Sequence, residues 1–279
     1  MILERPQWPE GKKCAAMITL NLNAELFWLQ IDPNCKDMPK TLSLGQYGMT
    51  RGIERVLDVL KEYAVKATCF VPGWVAENYT EKVNLLKEDG HELAVLGYHH
   101  EHMALLTAEE QKEALKKGIA AIEKNCGVIP VGFRVPEGEM TLETLKAARD
   151  LGLKYSSNLC DDDRPYQKDL RDGRDILEIP IHWVNYDLPY FAFNYRPAFP
   201  AGQGRIAGYE STLTNWKEEF SGCREYGLCH VLQLDPATIG SPGRIGLLKD
   251  YLKFVKQYDD VWMPTCVEMQ TYVESIKGR

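Results

Sequence analysis

The stretch MTRGIERVLDVLKEYAVKATCFVPG, residues 49–73, decides the fold, because it joins an amphipathic helix to a buried strand. Apolar residues recur at helical spacing across 49–63, which predicts a helix with one buried face. KATCFV (66–71) is a short apolar run that is typical of a buried strand, and Pro72 ends it. A helix that leads within a few residues into a buried strand is one repeat of an α/β fold.

Outward from this repeat, strands and helices alternate about seven times, which predicts parallel strands covered by helices. A closed (β/α) barrel and an open doubly wound sheet both have this pattern. Neither a GxGxxG turn nor a P-loop follows the first strand, which argues against a sheet that binds NAD or ATP. We therefore predict an α/β fold, a (β/α) barrel of about seven parallel strands that forms a single domain over 1–279. The other predicted strands are MITLNL (17–22), HELAVLG (91–97), VIPVGFR (128–134), LKYSS (153–157), ILEIPI (176–181), CHVLQL (229–234) and VWMP (261–264).

Helices are predicted between these strands, and two stretches have no clear period. Residues 29–50 are predicted to be irregular. Residues 185–210 are rich in aromatic side chains and prolines, which indicates a binding lid, an oligomer contact or a loop that packs on the barrel. The predicted helices after 49–63 are 74–89, 107–125, 142–152, 211–227, 242–258 and one from about residue 265.

Composition excludes several classes of protein. Lys plus Arg is 33 and Asp plus Glu is 40, a net charge of −7, so we expect no nucleic-acid partner. No apolar run approaches the roughly 18 residues of a membrane span, so we expect no membrane association. The start, MILERPQWPEGKKCAAMITL, has charges and proline where a signal peptide is apolar, which predicts a cytoplasmic protein. The eight cysteines include no CxxC pair, so we expect reduced structural thiols.

Polar side chains follow most of the predicted strands. Because active sites of such barrels lie at the carboxyl ends of the strands, these side chains predict one polar pocket. Four of the six histidines are among them. The strand-end residues are Asn21, Asn23, Glu25, His99, His100, His102, Arg134, Glu137, His182, Trp183, Asp187 and Asp235.

At these residues the chain resembles the polysaccharide deacetylases, and most closely the peptidoglycan deacetylase branch. The resemblance is carried by ITLNLNAELFWL, CFVPGWVAE, DGHELAVLGYHHEH, PVGFRVPEGEM and HVLQLDPATIG. It implies a distorted (β/α) barrel that removes N-acetyl groups with a divalent metal. Two aspartates after the first strand, two histidines four residues apart, and a late histidine as general acid are implied as the machinery.

This chain departs from that pattern at nearly every implied position. Asn21 stands where the resemblance implies the base, and Asn23 where it implies a metal-binding aspartate. Leu96 replaces the first histidine, and only His100 remains. Asp235 stands at the position of the acid histidine. An amide is neither a general base nor a strong metal ligand, so we expect no metal and no other cofactor.

Two retained residues and two neighbouring histidines complete the comparison. Arg134 and Pro136 match the family pattern. One alternative to the loss of the metal site stays open: a shift of the loop after the third strand would bring in His99 or His102 as a replacement metal ligand.

These departures predict a metal-independent hydrolase that acts on a non-peptide C–N bond of a small molecule, such as a cyclic amide, a ureide or an N-acyl compound. His100, or His99, is the candidate base, and Asp235 is the acid or orienting group. Glu25 is a second carboxylate and Arg134 stabilises an oxyanion. A ligand-binding protein without catalysis, and a metal-free lyase or isomerase that uses His100 and Asp235, are the alternatives.

The remaining strand-end residues and several aromatic side chains are expected to bind the substrate. Each also has a structural alternative: Glu25, for example, is also placed to pair with Arg51 or Arg134. A small molecule is the expected partner, and a homodimer or homotetramer is expected by analogy with relatives. The predicted substrate-binding residues are Asn21, Asn23, Trp28, His99, Glu137, Trp183, Asp187 and Tyr190.

Overall fold

The computed structural model describes residues 7–201 and 206–276, and its strands are short except for the first and the tenth. Their bounds are β1 Cys14–Asn21, β2 Thr68–Val71, β3 Glu92–Val95, β4 Gly132–Phe133, β5 Tyr155–Ser156, β6 Tyr166–Asp169, β7 Asp175–Glu178, β8 Asn194–Tyr195, β9 Ala198–Phe199, β10 Cys229–Leu234 and β11 Val261–Trp262.

Helices follow most of these strands. The α-helices are α1 Leu26–Ile31, α2 Pro39–Tyr47, α3 Ile53–Glu62, α4 Gly73–Asn78, α5 Thr80–Glu88, α6 Ala108–Cys126, α7 Leu142–Asp150, α8 Leu188–Phe191, α9 Tyr209–Tyr226, α10 Pro236–Ile239, α11 Ile245–Val255 and α12 Cys266–Ile276. Short 3₁₀ turns span Pro33–Asp37, Met103–Leu105 and Trp183–Asn185, and Gly48–Gly52 is π-helical. None of the helices in the described part of the chain has the length and apolarity of a membrane span.

Over the described residues, nine strands form one sheet in the order β10-β1-β2-β3-β4-β5-β7-β6, with β11 paired to the start of β1. All neighbours run parallel except β6, which is antiparallel to β7. Tyr186, beyond β7, forms an isolated parallel bridge to Gln233 of β10. This isolated bridge brings the segment beyond β7 beside β10, the first strand of the order given above. β8 and β9 form a separate hairpin.

Strand β1 shows how the sheet positions the site. Every residue of β1 is buried, because helices cover one face and side chains of the other strands cover the second. Met17 packs in an apolar cluster with Phe70 and Tyr155 on the inner face. Thr19 and Asn21 follow Met17 at the strand period of two and are polar. The inner face is therefore apolar at its base and polar at the carboxyl end of the strands.

Several predicted elements differ from the structure. Residues 29–50, predicted to be irregular, contain a 3₁₀ turn and the helix α2. The predicted helix 74–89 is two helices that meet at Tyr79. β6 was missed because its residues are only partly buried and form no apolar run. Within 185–210 the structure has α8 and the β8–β9 hairpin, and residues 202–205 lie outside the described part.

Helix α2 was missed because its main contact is made by backbone and not by an apolar stripe. A Cβ atom at Gly45 would lie 2.2 Å from Ala24 O, and one at Gly48 would lie 2.7 Å from Ala237 N. A Cβ atom at Gly52 would lie 2.0 Å from Pro236 O. These three glycines let the chain from α2 to the start of α3 lie directly against the turn that follows β1 and the first residues of α10.

The close approach at Gly52 gives a stability prediction. Gly52→Ala forces the backbone of Pro236 to move, so we expect the free energy of unfolding to fall by roughly 1–3 kcal/mol. Gly222→Ala is the matched control, because Gly222 lies inside α9 and a Cβ there meets nothing within 4 Å. We expect that control to gain roughly 0.5–1 kcal/mol. Urea unfolding of the two variants tests the contact, and equal stability changes would contradict it.

Candidate functional site

The ends of five parallel strands bring a set of buried polar side chains together. Asn21 ends β1, and Asn23 follows it on a turn in which Ala24 has φ +49°. His100 follows β3 with φ +63°, a left-handed conformation that is unusual for a residue other than glycine. Arg134 follows β4, and the remaining members follow β7 and β10. Each of the following is at most 3% exposed: Asn21, Asn23, His100, Arg134, Tyr186, Asp187 and Asp235.

Asn23 lies at the centre of this cluster. Its side-chain NH₂ donates to Asp235 Oδ2 at 2.9 Å and to Tyr186 Oη at 3.2 Å. Its Oδ1 lies 2.9 Å from His100 Nε2. One amide therefore connects the ends of β3 and β10 and the segment beyond β7.

His100 is a buried and neutral imidazole. Burial lowers the pKa of His100 to about 3, so the ring carries no charge near neutral pH. Its second nitrogen, Nδ1, lies 3.1 Å from Gln30 Oε1. Gln30 in turn donates to the backbone oxygen of Glu137 at 2.7 Å. Both ring nitrogens of His100 thus face amide oxygens, and the neutral ring, which carries one N–H, donates to one of the two.

Arg134 is fully enclosed and bonds to β1 and to the end of β5. Its Nη1 donates to Asn21 Oδ1 at 2.9 Å and to Thr19 Oγ1 at 3.0 Å. Its Nε and Nη2 donate to the backbone oxygen and the hydroxyl of Ser157, both at 2.9 Å. The guanidinium lies 4.1 Å from the ring centroid of Phe70. Burial lowers the pKa of Arg134, and these acceptors are what fix the cation in place.

Tyr186 fills the space between the two asparagines and Glu137. Its hydroxyl accepts from Asn21 Nδ2 and Asn23 Nδ2, each at 3.2 Å, and donates to Glu137 Oε1 at 2.7 Å. Burial and the neighbouring carboxyls raise the pKa of Tyr186, so it remains a phenol. Burial also raises the pKa of Glu137, against the opposing effects of Tyr186 and Arg134.

Asp235 is a buried carboxyl that accepts a hydrogen bond at each of its two oxygens. Its Oδ1 accepts from Ala237 N at 2.6 Å, and its backbone N donates to Asp187 Oδ1 at 2.9 Å. Thr238 Oγ1 donates to the other oxygen of Asp187. Burial raises the pKa of Asp235 to about 7, with hydrogen bonds from Ala237 and Asn23 acting in the opposite direction. This carboxyl therefore exchanges its proton near neutral pH.

Two cavities flank the cluster. One of about 200 Å³ has Asp235, Trp28 and Thr238 in its wall. The other, of about 50 Å³, is lined by Asn21, Arg134, Glu137, Tyr186, Trp183 and further residues of the loops. The single pocket that the sequence predicted is therefore two separate cavities. Asn23 and His100 line neither of them.

The structure places the remaining predicted residues in different positions. Glu25 accepts a hydrogen bond from Tyr79 Oη at 2.9 Å and lines neither cavity, so its partner is neither arginine suggested by the sequence. His99 is exposed and stacks on Tyr98 at a centroid distance of 4.9 Å. Tyr190 donates to Val184 O at 3.1 Å, outside both walls.

Sequence reasoning missed several residues that the structure brings to the site. Tyr186 was noted only as one of many aromatics in an irregular stretch, although its position shortly after β7 was a usable signal. Gln30 lies just after the strand-end motif, inside α1. Arg244, in the wall of the larger cavity, lies ten residues beyond the end of β10, and no sequence pattern marked it.

The side chains present do not fit the metal site that the resemblance implies. Leu96 is fully buried in the apolar inner cluster with Phe70 and Tyr155, and it offers no lone pair. Asn21 Oδ1 accepts from Arg134, and His100 Nε2 faces Asn23. Over residues 7–201 and 206–276, no three His, Cys, Asp or Glu side chains group as metal ligands do.

Comparison with known proteins finds similarity to members of the polysaccharide deacetylase family. The family model described as polysaccharide deacetylase matches residues 41–156. A crystal structure of a candidate polysaccharide deacetylase from Mycobacterium smegmatis is 33% identical, with a TM-score of 0.93 over 99% of this chain and 96% of that chain. The Helicobacter pylori peptidoglycan deacetylase is 29% identical over 57% of this chain, and the match spans 62% of that enzyme. The Puue allantoinase shares the fold, with a TM-score of 0.84 at 19% identity over 99% of this chain and 95% of that chain.

The raised pKa of Asp235 gives a prediction about stability. The unfolded chain ionises this carboxyl near its ordinary pKa of 3.8, whereas the folded chain holds the proton up to about pH 7. Its contribution to stability is therefore full below pH 4 and is lost as the pH rises to 7. We expect Asp235→Asn to reduce the loss of unfolding free energy between pH 4.5 and pH 7.5, measured by urea unfolding.

Glu178 provides the matched control for this measurement. Burial raises its pKa to about 7 as well, and it lines neither cavity. We expect Glu178→Gln to flatten the same pH dependence. An unchanged slope in Asp235→Asn, with a flattened slope in Glu178→Gln, would show that Asp235 ionises normally in the folded protein.

Proposed function

Because the chain belongs to the polysaccharide deacetylase family, we propose that it is a hydrolase that cleaves a non-peptide C–N bond of a small molecule without a metal. The substrate class is a cyclic amide, a ureide or an N-acyl compound. The observation that carries the proposal is Asp235, a carboxyl with a pKa of about 7 in the wall of the larger cavity. A group that titrates near the working pH is suited to general acid–base catalysis.

Asp235 is proposed as the group that moves the proton. As a carboxylate it takes a proton from a water molecule while that water attacks the carbonyl carbon of the substrate. The C–N bond then breaks, and the same carboxyl returns the proton to the departing nitrogen. Ala237 N and Asn23 Nδ2 fix both oxygens, so little reorganisation accompanies the transfer.

His100 and Arg134 are proposed as positioning residues. His100 faces the oxygen of Asn23, whose NH₂ donates to Asp235. Arg134 holds Asn21 in the same way from the other side of the cluster. Neither group is oriented as a free base, since amide groups face both nitrogens of His100 and the guanidinium is already bonded to three residues.

Activity toward a substrate panel tests the proposal. The panel contains allantoin-like cyclic ureides, cyclic imides, N-acetylated sugars and N-acyl amino acids. We expect hydrolysis of at least one class, with kcat/KM rising as Asp235 ionises, toward a plateau above about pH 7. Asp235→Asn should lower kcat/KM by roughly 100-fold or more, the usual size of a general-base effect.

One control variant and two possible outcomes make this test decisive. Glu178→Gln should retain the activity, since it removes a carboxyl of similar pKa outside both cavities. Binding without turnover by any member of the panel would support the second candidate, a ligand-binding protein, which the mostly apolar wall of the larger cavity favours. Full activity in Asp235→Asn would refute the assignment of this residue.

Metal content is the separate prediction. We expect purified wild-type protein to carry no stoichiometric zinc, cobalt or nickel, and its activity to survive chelation, because an amide and an alkyl group replace the implied ligands. The variant Asn21→Asp, Asn23→Asp, Leu96→His should gain zinc binding, measured by elemental analysis after dialysis. The same variant without Leu96→His is the control and should bind more weakly. One tightly held metal per wild-type chain would contradict metal independence.

A further inference from the structure

The larger cavity has features of a ligand site beyond the carboxyl of Asp235. It lies between α1, α2, α8 and α10, and most of its wall is apolar. A volume of about 200 Å³ is enough for a small ring or branched chain. The apolar wall is formed by Ala24, Phe27, Trp28, Leu44, Leu188, Phe191, Ala192, Phe193 and Ile206.

Arg244 is the only cationic side chain in the described wall of this cavity. Its Nε donates to Ser241 Oγ at 2.8 Å, and its Nη1 donates to Phe191 O at 3.1 Å. The guanidinium also lies 5.5 Å from the ring centroid of Phe191. These contacts hold the guanidinium in one orientation, so little side-chain entropy would be lost when a ligand binds to it.

The guanidinium nevertheless keeps donor capacity and charge. Within residues 7–201 and 206–276, Nη2 of Arg244 has no hydrogen-bond acceptor, and no carboxylate oxygen lies within 4.0 Å of the group. The two nearby carboxyls, Asp235 and Asp187, both have raised pKa values because they are buried. Among the described residues neither carboxyl forms an ion pair with Arg244, so this end of the cavity keeps a cationic group that a ligand can reach.

We propose that this cavity selects substrates that carry a carboxylate next to an apolar group, with the carboxylate on Arg244 and the scissile C–N bond at Asp235. The inference rests on the proposed function and names its substrate class. An N-acyl derivative of an apolar amino acid has the required parts: an apolar body for the wall, an anion for the guanidinium and an amide carbonyl for hydrolysis. A planar guanidinium with a free N–H is well suited to bind a carboxylate.

Equilibrium binding tests this assignment independently of catalysis. The probes are N-acetylphenylalanine and N-acetylleucine, each compared with its neutral carboxamide by titration calorimetry. Binding is measured in the wild type and again in Asp235→Asn, where turnover does not interfere. We expect the acids to bind at least 10-fold more tightly than the amides, the usual range for a hydrogen bond to a charged group.

Arg244→Gln should remove this preference and leave the amides within about 3-fold of their wild-type affinity. Arg244→Lys keeps the charge and should retain part of the preference, which separates loss of charge from loss of folding. Arg51→Gln is the matched control, because Arg51 is an exposed cation paired with Glu54 and lines neither cavity. Leu44→Trp, which fills the cavity, should weaken binding of acid and amide alike.

The outcomes separate this inference from the proposed function. Equal affinity for acids and amides, or no binding of either, overturns the carboxylate site even if the panel finds a hydrolysed substrate. An equal loss of acid and amide affinity in Arg244→Gln also overturns it, because the arginine would then support only the packing of α11 on α8. Preference for acids that disappears in Arg244→Gln upholds the site even if no turnover is detected.

Discussion

Asp235 is a buried carboxyl that is satisfied by hydrogen-bond donors, and the rest of the site depends on those donors. A carboxyl removed from water requires a cation or several N–H groups to offset the loss of hydration. Ala237 supplies one N–H from the start of α10, and Asn23 supplies another from the loop after β1. Asn23 is itself held by contacts to Tyr186 and His100. A single network therefore joins the ends of the strands across the inner face of the sheet.

The two asparagines suit this network better than aspartates would. An amide donates and accepts at the same time, whereas an ionised carboxylate only accepts. Asn21 accepts from Arg134 through its oxygen and donates to Tyr186 through its nitrogen. Asn23 donates to Asp235 and presents its oxygen to His100. Both residues use the oxygen and the nitrogen of the amide. Asparagine in place of aspartate therefore supplies hydrogen-bond donors to this network as well as removing a negative charge.

The fold could be predicted because each β/α repeat combines an amphipathic helix with a short apolar strand, and both patterns are clear at 49–71. The first and last residues of each strand could not be predicted, because pairing with the neighbouring strands decides where a strand ends. In the predicted strand VIPVGFR, only Gly132–Phe133 pairs as a strand. Residues at strand ends, including Asn23 and Asp235, were expected to lie close together and do. Gln30 and Arg244 could not be predicted, because they lie inside helical or irregular segments whose packing depends on glycine contacts.

The asparagine at position 23, where the resemblance implies a metal-binding aspartate, and the aspartate at position 235 depend on each other physically. An aspartate at position 23 would place a second carboxylate where the NH₂ of Asn23 now lies, 2.9 Å from Asp235 Oδ2. Two carboxylates at that distance share a proton or require a cation between them. With an amide at position 23, the only carboxyl of this pair lies in the wall of the larger cavity. In the proposed mechanism the carboxyl that transfers the proton therefore lies at the end of β10, in the wall of the apolar cavity. Under that proposal the substrate is better sought among small amides that carry an apolar group than among sugars.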